Sequence, residues 1–247
     1  MPRANRYIVP GHIYHLTHRC HDRVFLLKFA KDRNGYRRRI LSALKKYEVS
    51  LLGYTITSNH VHMVAWSEEL GEISRFMQEA AGGFAQEFNR RKNRSGGYWE
   101  GRFGSTMVEG GVYVEHCLVY VDLNMVRCGK VKHPGDWGWS GYGEVMGRKR
   151  RNRVLDIPKL LELMGGVQLD AFRKHYEGLV LERLAKDQAA REPYRTESLA
   201  VGSQAYVESV QGLIRNRMKT ETAMEETGHW VIRETGRQEP YGSLFRR

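Results

Sequence analysis

From residue 12 the sequence "HIYHLTHRC" alternates polar with apolar, β-branched and aromatic positions, which predicts a strand over residues 12–20. In "DRNGYRRRILSALKKYEV", residues 32–49, Ile40, Leu41 and Leu44 recur at helical spacing among arginines and lysines. That pattern predicts a basic amphipathic helix. The run "VSLLGYTITSN" predicts a second strand, and "HVHMVAW" its continuation, across residues 49–66. In "LGEISRFMQEAAGGFAQEFNRRKN", Ile73, Phe76, Met77, Ala80, Phe84 and Phe88 share one side of a second helix, and Gly82-Gly83 weakens and bends it. A glycine- and aromatic-rich loop, "RSGGYWEGRFGS", leads to a short strand at "TMVEG". A third helix, "VYVEHCLVYVDLNMVR", then stops at Gly129 with Pro134 beyond it.

Strands and helices in this order, within about 130 residues, predict an α+β fold with helices covering a sheet. The composition changes after "WGWSGYGEVMG". Residues 1–147 are expected to form one domain, and the charge run "RKRRNR" a basic linker over 148–154. Residues 155–247 are expected to form a helical C-terminal extension, with helices near 156–164, 168–190 and 203–226 and a polar tail. No internal repeat is visible.

The chain has 247 residues, of which 41% are hydrophobic, enough to bury a core. Its formal net charge of +12 favours a polyanionic partner, nucleic acid first and a membrane surface second. No segment has the roughly 18 apolar residues needed to span a bilayer. The start, "MPRANRYIVPGH", lacks an apolar signal region, and a cytoplasmic protein is expected. Cys20, Cys117 and Cys128 are odd in number and far apart, so they predict free thiols rather than a zinc ribbon or a disulfide framework.

Candidate chemistry begins at "SNHVHMV". Side chains alternate across a strand, so His60 and His62 face the same way. Two imidazoles so placed suit a divalent metal, or are simply exposed strand histidines. The third helix adds to this picture. At about 100° per residue, Tyr113, His116, Tyr120, Asn124 and Arg127 form one stripe between apolar flanks, with Glu115 and Asp122 opposite and expected to meet solvent. A polar stripe between apolar flanks points inward, and burying it costs several kcal/mol unless partners satisfy it. Such partners are either a metal with a phosphate or an internal hydrogen-bond network. The histidines His12, His15, His18 and His21 step by three along a strand, which alternates faces and makes a poor single metal site.

These stretches resemble a known family. "SNHVHMV" is similar to the histidine–hydrophobic–histidine (HUH) motif of single-tyrosine transposases, and "VYVDLNMVRCG" to their nucleophile helix. "PGHIYHLTHRCHDRVFL", "YWEGRF" and "WGWSGY" resemble further signatures of the branch associated with repetitive extragenic palindromes (REP), the REP-associated tyrosine transposases. The resemblance runs from about Pro10 to Gly147. Met125 stands where proline is usual, Cys128 where alanine is usual, and Gly141 where serine is common. The resemblance implies a ferredoxin-like antiparallel sheet backed by helices. It also implies Mg²⁺ or Mn²⁺ bound by His60, His62 and Asn124, and Tyr120 as the nucleophile forming a 5′-phosphotyrosine with single-stranded DNA. Tyr113 is the rival nucleophile, but Cys117 rather than an amide lies four residues on; His116 is expected to be structural.

The implied partner is hairpin DNA with a single-stranded flank. Basic clusters at Arg37–Arg39, Lys45-Lys46, Arg90 to Arg94 and Arg148 to Arg153 are either solvated faces or a phosphate track. The expected DNA contacts are Arg3, Arg6, Arg90, Arg91, Trp99, Arg102 and Arg127. Trp99 and Arg102 lie in an aromatic loop suited to stacking bases or to plugging the core. The expected activity is that of a metal-dependent single-stranded DNA endonuclease and strand transferase acting in transposition. The alternatives are a non-catalytic hairpin-binding regulator and an RNA-processing hydrolase.

Overall fold

The computed structural model describes residues 8–149, 151–186, 191–214 and 219–235. Its strands are β1 (Ile13–Arg19), β2 (Ser50–Ile56), β3 (His60–Trp66), β4 (Gly104–Val108), β5 (Ala200–Gly202), β6 (Thr220–Met224) and β7 (Trp230–Glu234). Its helices are α1 (Ala30–Leu44), α2 (Glu72–Met77), α3 (Gly83–Arg91), α4 (Val112–Asp122), α5 (Asn124–Arg127), α6 (Tyr142–Val145), α7 (Ile157–Leu163), α8 (Leu169–Ala185), α9 (Tyr194–Glu197) and α10 (Gln204–Ile214).

All seven strands form one sheet in the order β2-β3-β1-β4-β5-β7-β6. The first four are antiparallel neighbours, and with α1 and α2–α3 as crossovers they reproduce the ferredoxin-like split β-α-β pattern. β5 joins β4 in parallel, and β7 and β6 follow antiparallel, so the sheet is mixed and the fold is α+β. The C-terminal region thus differs from the all-helical expectation. It holds α7 and α8 near their expected places, but also three strands, and the helix expected over 203–226 is helical as α10 only to Ile214, with β6 at Thr220–Met224 inside its span. β5 has only three residues, and β6 is nowhere fully buried, so neither writes a strand-like alternation of apolar and polar positions.

The two faces of the sheet carry different helices. Tyr14, Leu16, Val61, Met63 and Ala65 pack with α1, α2 and α3. Ile13, Leu52, Val64 and Val108 pack with α4, α7 and α8. As Gly82-Gly83 suggested, the second predicted helix does not run straight: a wider π turn at Gln78–Gly82 separates α2 from α3. The third predicted helix divides at Leu123, where the N–H of Val126 bonds the Leu123 carbonyl in a tightened turn.

Two devices bring α4 close to the sheet. The β2–β3 register shifts between Leu51 and Gly53, and a Cβ on Gly53 would lie 2.3 Å from Cδ2 of Leu118 on α4. The Thr55 hydroxyl donates to the Val121 carbonyl at 3.0 Å. Residues beyond α5 cover the open edge of β2: Ile56 N–H bonds Trp139 O, and Gly141 N–H bonds Tyr54 O. Buried Glu144 fixes this cover by accepting from the Tyr54 hydroxyl and the N–H groups of Val154 and Leu155. No helix among the described residues is long and apolar enough to cross a membrane.

Candidate active site

The strands place His15, Thr17, His60 and His62 on the sheet face that α4 covers, because Thr17 of β1 pairs with His62 of β3. The polar stripe of α4 and α5 descends onto this face. Asn124 Nδ2 lies 3.0 Å from His62 Nε2. The ring centroids of His60 and His62 are 4.9 Å apart, and Tyr120 lies 6.1 Å from His62 and 5.9 Å from His15. Sequence-expected Tyr120, His60, His62 and Asn124 therefore converge. Tyr113 does not share this cluster: its ring meets His229, 5.5 Å away, and His116 Nδ1 lies 3.5 Å from His229 Nε2.

His15, which sequence spacing set aside, is the residue the reasoning missed. The four-histidine series does alternate faces, but the β1–β3 pairing sets His15, two residues before the Thr17 partner of His62, diagonally beside His62 on one face. His15 Nδ1 faces the carbonyl of Arg195 at 2.8 Å, so it carries the proton. His15 Nε2 is then an acceptor and receives the Nδ1 proton of His62 at 2.9 Å, leaving the lone pair on His62 Nε2. A similar argument fixes His60. The Thr57 hydroxyl donates to the His60 carbonyl at 2.8 Å, so it accepts from His60 Nδ1 at 3.0 Å, as does Asn59 Oδ1 at 2.8 Å. His60 Nε2 is then also a lone pair.

The electrostatics keep these rings neutral. Burial lowers His15 to about 4 and His60 to about 3, helped for His60 by the charges of Arg19 and Arg127. Burial, with His60 and His15 alongside, holds His62 well below its ordinary value. Two neutral imidazoles with bonded Nδ1 atoms and unprotonated Nε2 atoms, that of His62 accepting from the Asn124 amide at 3.0 Å, are a donor set that fits a divalent cation. Among the described residues no three His, Cys, Asp or Glu side chains form a group that could hold a metal ion, and Asn124 is the amide that lies beside the pair.

Tyr120 is buried, and burial raises its phenol above the ordinary value, while Arg127, Arg191 and Arg195 pull it back. Arg127 Cζ lies over its ring at 4.0 Å, with Nη2 donating to the Tyr120 carbonyl at 2.8 Å. Arg195 Cζ lies 5.7 Å from the same ring, and its Nε donates to Glu192 at 2.5 Å. Arg195 was invisible in the sequence because it lies on α9, 75 residues past Tyr120.

The opposite side of α4 overturns one expectation. Glu115 and Asp122 do not meet solvent; each is 4% exposed, because α8 covers them. Tyr176 Oη donates to Asp122 at 2.7 Å, and His175 Nε2 lies 3.2 Å from Glu115.

The remaining expected DNA contacts are dispersed. Arg3 and Arg6 lie outside the described residues. Arg90, Arg91 and Arg102 are exposed, and Arg91 pairs with Asp32. Trp99 is half-buried, stacks on His18 at 4.2 Å and donates to Ala81 O at 2.9 Å, as a core-plugging residue does. Several cations of the basic clusters are held in ion pairs: Arg37 with Glu144, Arg39 with Glu87, Lys46 with Glu79, and Arg148 with Glu177.

Residues 8–124 match the family described as "Transposase IS200 like". The matched segment holds β1–β4, α4 and each of the four converging residues. The chain is also similar to a solved structure titled "Structure of the REP associates tyrosine transposase bound to a REP hairpin", at 20% identity and a TM-score of 0.49, over 63% of this chain and 94% of that one. No curated protein matches the chain.

Proposed function

We propose that the protein is a metal-dependent single-stranded DNA endonuclease and strand transferase that uses Tyr120 as its nucleophile. Its substrate in this reading is palindromic hairpin DNA with a single-stranded flank, as in the REP-associated branch that the sequence motifs resemble. The observation that carries the reading is the convergence of Tyr120, from α4, with the unprotonated Nε2 atoms of His60 and His62 and the amide of Asn124, which donates to His62.

In this account the Tyr120 hydroxyl attacks the scissile phosphorus, the bond to the 3′ oxygen breaks, and a 5′-phosphotyrosine and a free 3′-hydroxyl result. The phosphodiester energy is retained in the new ester, so a 3′-hydroxyl can reverse the step on another strand without a nucleotide cofactor. The phenol must lose its proton. Arg127 and Arg195 favour the phenolate, against the burial that opposes it. Arg127 and exposed Arg19 supply positive charge beside His60, where a phosphate would sit. His60, His62 and Asn124 would hold Mg²⁺ or Mn²⁺, with imidazole favouring Mn²⁺; the cation supplies Lewis-acid polarisation of the phosphoryl oxygens.

The test is cleavage of labelled hairpin oligonucleotides with a 3′ or 5′ single-stranded flank, with Mn²⁺ or with chelator. Metal-dependent nicking in the flank supports the reading. Salt-sensitive binding without nicking would favour a non-catalytic hairpin binder, and cutting that needs a 2′-hydroxyl would favour an RNA hydrolase.

A further inference from the structure

The segment between β1 and α1 presents apolar side chains to solvent from a tightly held backbone. Val24, Phe25 and Phe29 are 51%, 62% and 59% exposed. Exposed aromatics on a flexible loop would mean little, but this backbone is anchored on every side. Leu27 is fully buried in the core, and its N–H bonds the Ser58 carbonyl. Arg33 donates to the carbonyls of Leu27 and Lys28 at 2.9 and 2.7 Å, while its guanidinium lies over Trp139 at 3.9 Å and Trp137 at 4.8 Å. Asn59 Nδ2 donates to the Arg23 carbonyl at 2.9 Å. Asp22 and Arg23 both adopt positive φ, a conformation that non-glycine residues seldom take in succession.

The surroundings are basic. Lys28 and Lys92 Nζ lie 5.9 and 5.8 Å from the Phe29 ring. Arg23 is exposed on the same segment. The nearby acids are engaged: Asp22 with His21 at 3.0 Å, and Asp32 with Arg91. Rigid aromatic faces among cations fit the bases and phosphates of a single strand. The segment also adjoins the candidate site through one residue. Asn59 holds Arg23 with its amide nitrogen and His60 Nδ1 with its amide oxygen.

We propose that Phe25 and Phe29, flanked by Arg23, Lys28 and Lys92, form a stacking platform for unpaired bases of the single-stranded DNA that enters the site, a role that rests on the proposed function. The platform would take the flank beside the scissile phosphate, with Asn59 linking an occupied platform to the orientation of His60.

The probes are a fluorescein-labelled oligo(dT) of 12 nucleotides and an abasic strand of equal length, which offers phosphates without bases. Phe25→Ala/Phe29→Ala alters exposed side chains only, so the fold should be retained; Phe25→Tyr/Phe29→Trp keeps the ring faces. We expect the alanine pair to weaken oligo(dT) binding about 10- to 100-fold, the aromatic pair to restore it, and abasic binding to change little. Equal losses for both strands, or no loss, would overturn the platform. A dimer in light scattering that the alanine pair dissociates, with oligo(dT) binding intact, would overturn it in favour of a self-association surface. Nicking by the wild type with oligo(dT) binding untouched by the alanine pair would remove the platform and leave the nuclease reading standing. Base-dependent binding without nicking would do the reverse.

Discussion

Asp122 gives a quantitative test of how α8 is docked on α4. It is buried, and burial drives its carboxyl from the ordinary 3.8 to about 7, with hydrogen bonds from Tyr176 and the Tyr142 backbone holding it lower than burial alone would. The unfolded chain ionises this carboxyl near 3.8, while the folded protein keeps the proton up to about 7. Stability is therefore greatest below the lower value and falls as pH rises through this window, by about 1.4 kcal/mol per pH unit. Above pH 7 both states are ionised and the loss levels off at about 4 kcal/mol, an upper bound because a buried site relaxes. Asp122→Asn removes the ionisation and keeps one acceptor oxygen, losing at most one of the two hydrogen bonds, about 1 kcal/mol. The variant should match the wild type near pH 5 and exceed it by about 2–3 kcal/mol at pH 8. Urea unfolding at pH 5, 6, 7 and 8 measures this, and the difference between the two proteins cancels other titrating groups, provided the m-values agree. A difference that stays constant with pH, or a variant weaker at pH 8, would refute the reasoning.

His60→Ala or His62→Ala should abolish Mn²⁺-dependent nicking, and calorimetric titration should show Mn²⁺ affinity reduced; full activity in Mn²⁺ would remove the pair from the site. Gly53→Ala should destabilise by about 1–3 kcal/mol, because the new methyl meets Leu118 at 2.3 Å in a packed core. Combining it with Leu118→Ala should cost less than the sum of the two single changes in thermal melts; strict additivity would mean that the close approach is not the cause. Arg195→Met should cost about 1–3 kcal/mol, since it leaves half-buried Glu192 with less compensation. It should also move the alkaline rise of the nicking rate to higher pH, because Arg195 favours the Tyr120 phenolate; an unchanged profile would confine Arg195 to a structural role.

Strand structure at residues 13–19, 50–66 and 104–108 and the polar stripe of α4 were legible because both rest on local periodicity, whereas the turn after Ile56 that folds residues 50–66 into the β2–β3 hairpin was not. Strand alternation placed His60 and His62 together, and helical spacing placed Tyr120 one turn before Asn124. What escaped depends on contacts between distant segments. The pattern of α4 shows that Asp122 is polar but not that Tyr176, 54 residues on, will cover it. His15 reaches His62 only through the β1–β3 register, which no spacing within β1 reveals. The C-terminal strands were missed for a different reason: β5 is too short, and β6 too exposed, to write a period of two. The same region returns to the site through Arg195, whose carbonyl orients His15 and whose guanidinium lies beside Tyr120.

The central claim is that Tyr120 forms a covalent bond with DNA. The direct measurement is a denaturing gel of protein incubated with Mn²⁺ and hairpin oligonucleotides labelled at the 3′ end, comparing wild type with Tyr120→Phe. The account predicts a labelled protein band for the wild type that is absent from the variant, while hairpin binding stays within about three-fold and the melting temperature is unchanged, because only a hydroxyl is lost. A band of equal intensity from Tyr120→Phe, or none from either protein despite hairpin binding, would contradict it.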